Sequence, residues 1–294
     1  MATDSPKITV FTPTYNRAYI LGKLFDSLIR QTVKDFEWLI VDDGSSDNTE
    51  ELVKGWIKEN RSFPIRYYKQ PNGGKCRAIN HALDLARGEL FFCVDSDDCL
   101  TEDALEKVVT WEAVLPEKGL YCGVAGNSGF DRVQTPNSVF ENDYHEGTLL
   151  DRYKNVDGER AYVFYTEVHK KYKYPEFEGE NFMTEAVDWN RMAHDGYKMR
   201  FYNDIIWIYE YRPDGLTKAG SSVFLNNPHG YALWLKEKNA FEGAGFLRMM
   251  KVYYSLYAEL CSAYDMETIA ECLQTNLFLV KMCRALYRLK NMRK

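Results

Sequence analysis

The sequence lacks any apolar run of about 18 residues, the length a membrane-spanning helix needs, so none is expected. It also lacks an excess of basic charge. The 37 lysines and arginines are outnumbered by 43 aspartates and glutamates, and the formal charge is −6. That excludes nucleic acid as the main partner, because phosphate backbones are bound by clustered basic surface. The opening residues, Met1 to Lys7, have no basic segment leading into an apolar one, so no secretory leader is expected. Paired cysteines are missing as well. The seven cysteines are scattered with no C-x-x-C spacing, and Cys93, Cys122 and Cys261 sit in apolar runs. This excludes a disulfide framework or a zinc cluster and predicts reduced, buried thiols in a cytoplasmic chain. Internal repeats and low-complexity segments are absent too.

What is present is a globular composition, 45% apolar and 27% charged, enough for one large domain or a domain with an appendage. Strand-like and helical patterns alternate over the first 126 residues. Ile8–Phe11, Phe36–Val41, Ile65–Lys69, Leu90–Val94 and Leu120–Ala125 read as strands. Between them, Tyr19 to Thr32 carries a helical stripe, Asp47 with Glu50 resembles a capping box, a helix spans about Lys75 to Arg87, and Thr101 caps another. Such alternation predicts an α/β fold with a mostly parallel sheet covered on both faces. Residues 127–160 are polar and turn-rich and suit a surface excursion. From Tyr162 to Tyr211 aromatic residues are denser than the 15% of the whole chain, with a helix at Glu185–Asp195 and short strands near Met199–Tyr202 and Ile206–Tyr211. Residues 221–294 read as helical throughout.

The chemistry-bearing residues gather just past the strands. Glu89-Leu-Phe-Phe-Cys-Val runs straight into Asp95-Ser96-Asp97-Asp98. Carboxylates this close repel one another and call for a cation, and hard oxygen donors suit Mg²⁺ or Mn²⁺ bridged to substrate phosphates. The strand's carboxyl end is where open α/β sheets place ligands. Past the first strand, Phe11-Thr12-Pro13-Thr14-Tyr15-Asn16-Arg17 exposes backbone groups suited to a base or phosphate. Past the second, Asp42-Asp43-Gly44 offers a tight turn with carboxylates able to accept from a base N–H or ribose hydroxyls. Asn72-Gly73-Gly74-Lys75 opens a helix and makes a plausible anion cradle, although its spacing is neither the dinucleotide fingerprint nor a P-loop.

Taken together, FTPTYNRA, FEWLIVDDGSSDNT, NGGKCRAIN and GELFFCVDSDD resemble the family 2 glycosyltransferases of the GT-A fold, in order and spacing, over roughly residues 7–125. The resemblance continues more weakly through residues 179–217. It implies a nucleotide-diphosphate sugar donor, a hexosyl or N-acetylhexosaminyl group, and an Asp-x-Asp metal motif at Asp95-Ser96-Asp97 adjoining Asp98, with Mn²⁺ or Mg²⁺. It implies a nucleotide-sugar site from Thr12, Pro13, Tyr15, Asn16, Asp42, Asp43, Gly74, Lys75, Asp95 and Ser96. The family's Glu-Asp pair ahead of a W-x-x-x-A helix is broken here as Thr184-Glu185-Ala186-Val187-Asp188-Trp189. Alignment on Trp189 puts Glu185 at the catalytic base, with Asp188 as its rival and Trp189 as an acceptor contact. The Gln-x-x-Arg-Trp motif of processive members is absent. Single displacement needs no second carboxylate nucleophile, so inversion is expected.

The expected organisation is a GT-A domain over 1–220, with a nucleotide-sugar half of about 1–126 and an acceptor half of about 127–220, then a helical extension over 221–294. Rival readings are a nucleotidyltransferase, or a nucleotide-sugar-binding protein without activity. The expected acceptor is a saccharide or lipid-linked saccharide. Lys281, Arg284, Arg288, Lys290, Arg293 and Lys294 stand without acid beside Val280, Cys283, Leu286, Tyr287 and Leu289. A basic amphipathic helix of this kind suits peripheral contact with an anionic membrane, and equally suits packing on a neighbouring helix.

Overall fold

The computed structural model describes residues 5–210, 220 and 222–292. Tyr211, the family-like stretch over 212–217, Arg293 and Lys294 lie outside the described residues. The chain divides into two compact units, Met1–Lys173 with Arg191–Arg212, and Tyr174–Asn190 with Pro213–Lys294.

The first unit is built on one mixed sheet. Strands β1 (Ile8–Thr14), β2 (Phe36–Asp42), β3 (Ile65–Lys69) and β4 (Leu90–Cys93) pair in parallel in the order β3-β2-β1-β4. Right-handed crossover helices are the usual way to join such strands, and α1 (Leu21–Ile29), α2 (Thr49–Glu59) and α3 (Lys75–Leu85) occupy those connections. The period of two decides the faces. Ile8, Val10, Trp38, Ile40, Leu90 and Phe92 form one core with Leu21, Leu24, Leu28 and Val53 of the helices. Phe25, Trp38 and Trp56 stack there with ring centroids 4.5–5.9 Å apart. The expected alternation therefore holds through β4.

Beyond β4 the sheet becomes mixed. The short strand β5 (Cys99–Leu100) leads into α4 (Ala104–Ala113), then β6 (Tyr121–Gly129), β7 (Tyr144–Thr148), β8 (Arg160–Tyr165), the single turn α5 (Thr166–His169), α6 (Ala186–His194) and β9 (Lys198–Ile208). β8 lies antiparallel between β4 and β6, β9 pairs parallel to β6, and β5 and β7 pair antiparallel to β9. Two expectations change here. The stretch read as a surface excursion holds β7 and delivers the chain to β8. The two short strands near Met199 and Ile206 are one bulged strand, with register shifts against β6.

The second unit carries α7 (Ser222–Leu225), α8 (Pro228–Phe241), α9 (Phe246–Leu260), α10 (Met266–Cys272) and α11 (Leu277–Asn291), as the helical reading of this region expects. Their core is Ala232, Leu256, Tyr257, Leu260, Ile269, Leu273, Val280 and Cys283. Asp265 caps α10 by accepting from the Thr268 amide, and Asn276 caps α11 by accepting from the Leu279 amide. All seven cysteines are free thiols, four of them buried. No helix among the described residues is long and apolar enough to cross a membrane.

Candidate active site

Because β1, β2 and β4 are parallel, their carboxyl ends and the loops that follow share one edge of the sheet. Thr14 is level with Asp42, and Phe11 with Cys93. Asn16 ties the first two loops together. Its backbone has φ +53°, a conformation asparagine tolerates better than most residues. Its amide donates to Ser45 Oγ at 2.8 Å, and its Oδ1 accepts from the Ser46 and Asp47 amides at 2.8 and 3.3 Å. Asp47 returns the tie by accepting from the Ala18 amide at 3.1 Å, besides holding Thr49 at the start of α2. Glu50, the expected other half of a capping box, pairs instead with Lys54 and Lys69.

The two aspartates of the second loop are scaffold carboxylates. Asp42 is fully buried and accepts from the Ser45 amide at 2.7 Å and the Tyr67 hydroxyl at 2.5 Å. Burial, then this bond, pushes the Tyr67 hydroxyl far above the usual tyrosine range, so it stays a donor. Asp43 reaches across to the third loop. Its Oδ1 accepts from the Gly73 amide at 2.9 Å and Gln70 Nε2 at 2.8 Å, and its Oδ2 accepts from the Gly74 amide at 2.7 Å. Gly44, at φ +88°, allows this approach, since a β-carbon there would stand 3.0 Å from the Asn72 nitrogen. A β-carbon on Gly73 would stand 2.6 Å from Cδ of Arg77, whose side chain lies along the turn. The asparagine-glycine turn is thus held from beneath, with Lys75 at the first position of α3.

Lys75 Nζ lies 2.7 Å from Asp95 Oδ1 and 2.9 Å from Oδ2. Asp97 Oδ2 lies 3.8 Å from Arg17 Nη1. The Asp98 amide donates to the Asp95 carbonyl at 3.2 Å, which folds the three carboxylates into one tight turn. Asp98 is pushed up to about 8, first by burial and then by the charges of Asp95 and Asp97. Burial and the two neighbouring carboxylates thus both oppose a negative charge on Asp98 unless a cation offsets them. Among the described residues no three His, Cys, Asp or Glu side chains converge as a complete cage. The donor set fits a hard divalent ion held by one or two carboxylates, with substrate phosphates completing its shell.

The candidate base lies on the segment Tyr174–Asn190 of the second unit. Thr184 lies two residues ahead of α6, its hydroxyl 3.3 Å from the Ala186 amide and its carbonyl 3.2 Å from the Val187 amide. Glu185 is half-buried just ahead of the helix, and its carbonyl accepts from the Tyr174 hydroxyl at 3.4 Å. Asp188 is fully buried in the first turn and accepts from the Trp189 amide at 2.7 Å. Trp189 is half-buried. Upstream, Glu180 is buried and receives the His229 and Gly230 amides at 2.7 and 3.0 Å and lies 2.8 Å from His229 Nδ1, so it caps α8. Asn227 receives the Asn181 and Phe182 amides at 2.9 and 3.1 Å.

Residues 9–186, more than half the chain, match the family described as Glycosyl transferase family 2. The chain is a family 2 glycosyltransferase. It is 28% identical over 244 residues to Glycosyltransferase GlyA of Streptococcus pneumoniae, covering 75% of this chain and 33% of that protein's length. Among solved structures, TarS residues 1–349 of S. aureus in complex with UDP-GlcNAc has a TM-score of 0.61 at 16% identity, over 97% of this chain and 92% of that one. The mannosyltransferase PcManGT of Pyrobaculum calidifontis in complex with GDP-Man and Mn²⁺ has a TM-score of 0.56 at 18% identity, over 98% and 84%. At these identities the likeness is one of fold. Family membership sets aside the nucleotidyltransferase reading.

In this glycosyltransferase the loops bring Asn16, Asp42, Asp43, Gly74, Lys75, Asp95, Asp97 and Asp98 into one bonded set. Tyr15 is 49% exposed beside them, Pro13 is half-buried and Ser96 buried. Thr12, expected at the nucleotide base, has its hydroxyl turned to the core, accepting from Trp38 Nε1 at 3.0 Å. Asn16 likewise spends its side-chain oxygen on the neighbouring loop, and Asp42 spends its two on the Ser45 amide and on Tyr67 of β3. Arg17 closes the first motif but was given no role there, and the structure sets it beside Asp97. Two residues were missed by sequence reasoning. Gln70 flanks the Asn72-Gly73-Gly74 motif and carries only a signal of proximity. Glu180 looks like any surface glutamate, and only its partners fifty residues on reveal its place.

Proposed function

We propose that this glycosyltransferase is inverting and divalent-metal-dependent, and moves a hexosyl or N-acetylhexosaminyl group from a UDP-linked donor to a saccharide or lipid-linked saccharide. The observation that carries the reading is the Asp95–Asp98 turn facing Lys75 and Arg17 at the strand ends. TarS in complex with UDP-GlcNAc and PcManGT in complex with GDP-Man and Mn²⁺ support a nucleotide-sugar donor and a metal.

Asp97 and Asp95, with Asp98 adjoining, would hold Mn²⁺ or Mg²⁺, and the bound ion would neutralise the leaving diphosphate. Lys75 and Arg17 meet the same diphosphate with charge already in place. Asp43 keeps the Gly73–Gly74 turn, and so Lys75, at the correct height. Thr12, Asn16 and Asp42 shape the nucleotide site from behind, while Pro13, Tyr15 and Ser96 line it. Glu185 takes the proton of the attacking acceptor hydroxyl, with Asp188 as the second candidate, and Trp189 offers an aromatic face to the acceptor sugar. One displacement at the anomeric carbon inverts it. The transferase chemistry is assigned to residues 1–220, and the basic C-terminal helix is assigned peripheral contact with an anionic membrane, on its cytoplasmic face.

A panel of nucleotide sugars assayed for metal-stimulated nucleotide release tests this. UDP release stimulated by Mn²⁺ is expected. Asp97→Asn should lose Mn²⁺-dependent UDP binding in calorimetry while melting normally. Wild-type UDP affinity in that variant, or release from no UDP-sugar, would sink the reading.

A further inference from the structure

Helix α11 has two apolar faces. Inward, Val280 and Cys283 are buried and Tyr287 packs edge-on to Tyr257, with ring centroids 6.0 Å apart. Outward, Phe278, Met282, Leu286 and Leu289 are 71, 43, 54 and 57% exposed, followed by Met292 at 82%. At about 3.6 residues per turn these five fall on one side of the cylinder, opposite the packed face. Exposed Lys281 and Arg288 border that stripe on one edge and Lys290 borders it on the other. No acidic residue lies between Leu277 and Met292. The Tyr257–Tyr287 contact, together with Lys290 Nζ lying 5.7 Å from the Tyr254 ring, makes α9 and α11 antiparallel. The first turn of α9, where Phe246 and Leu247 are each 76% exposed, therefore lies toward the C-terminal end of α11.

We propose that this outward face of α11 seats the protein on an anionic lipid surface. The helix lies in the plane of the interface, with Phe278, Met282, Leu286 and Leu289 in the acyl boundary and Lys281, Arg288 and Lys290 on headgroup phosphates. The proposal rests on the membrane contact assigned above and is independent of the transfer chemistry. Charge selects this occupant. A second copy docked on the same face would bring the same three cations against these three, whereas an anionic leaflet supplies the opposite sign along both edges. Val280, Cys283 and Tyr287 take no part, because they already pack into the helical core.

The test is co-sedimentation of the full chain with vesicles of phosphatidylcholine alone or mixed with phosphatidylglycerol, alongside sedimentation velocity and a melting curve. Binding only to the mixed vesicles, weakening with salt, is expected. Neutralising Lys281, Arg288 and Lys290 to glutamine should weaken binding about five-fold each and roughly 100-fold together. Phe278→Ser with Leu286→Ser should abolish it with the melting temperature unchanged, since both side chains are exposed, and turnover of a soluble acceptor should persist. Equal binding to both vesicles, absent binding, or a dimer that the serine variant splits would overturn the proposal. An intact chain that binds vesicles but releases no nucleotide would instead sink the transferase reading alone.

Discussion

Asp43→Ala separates a scaffold role from a ligand role at the centre of the donor loops. The wild-type carboxylate receives three hydrogen bonds, from the Gly73 and Gly74 amides and from Gln70. A hydrogen bond to a charged acceptor contributes about 1.5–3 kcal/mol, and a buried donor left unpaired loses about 1–3 kcal/mol. Gly73 is buried, so water cannot replace its partner, whereas Gly74 and Gln70 are half-buried and recover part of theirs. The expected loss is about 3 kcal/mol, mostly at Gly73. For a unit of this size that corresponds to a fall in Tm of roughly 6–12 °C. The freed turn no longer fixes Lys75, so UDP affinity should fall as well. Asp43→Asn keeps one acceptor oxygen and should lie between the two. Calorimetric melting and a UDP titration on the three proteins decide the matter. If Asp43→Ala melts within about 2 °C of wild type yet no longer binds UDP, the carboxylate is a ligand and the scaffold argument is refuted.

Glu185→Gln should keep donor affinity and cut transfer by roughly 10²–10⁴-fold, the usual worth of general-base catalysis. Asp188→Asn, at a fully buried position, should chiefly lower thermal stability, and the reverse pattern of activities would move the base to Asp188. In the presence of a chelator, the folded value of Asp98, about 8, lies above its ordinary 3.8. Stability from this group is therefore full below the unfolded value and is lost as the pH rises toward 8. Melting temperature should decline over that window more steeply in wild type than in Asp98→Asn, and added Mn²⁺ should recover the alkaline end. Parallel curves for the two proteins would count against the buried-charge account.

The first four strands and the loops after them were legible because their signals are local. An apolar run must be buried, and the Gly, Asn and Asp residues that end it must turn. Membership of the glycosyltransferase family followed from the same local runs. The place of β8 was not legible. Tyr162-Val-Phe-Tyr165 carries a strand composition, but only pairing with Phe92 and Val124 inserts it antiparallel between β4 and β6. Nor was the direction of Asn16 and Asp42, because the Asn16 carboxamide is claimed by the Ser46 and Asp47 amides of the next loop and the Asp42 carboxylate by the Ser45 amide and by Tyr67 on the neighbouring strand. In α11 the sequence merges Val280, Cys283, Leu286, Tyr287 and Leu289 into one stripe, and contact with α9 divides it into a covered face and an open one. Local chemistry thus determined what kinds of groups the chain brings to its sheet edge. Which of them face inward was decided only by packing, since a hydrogen bond or a buried face depends on the neighbour that tertiary structure supplies.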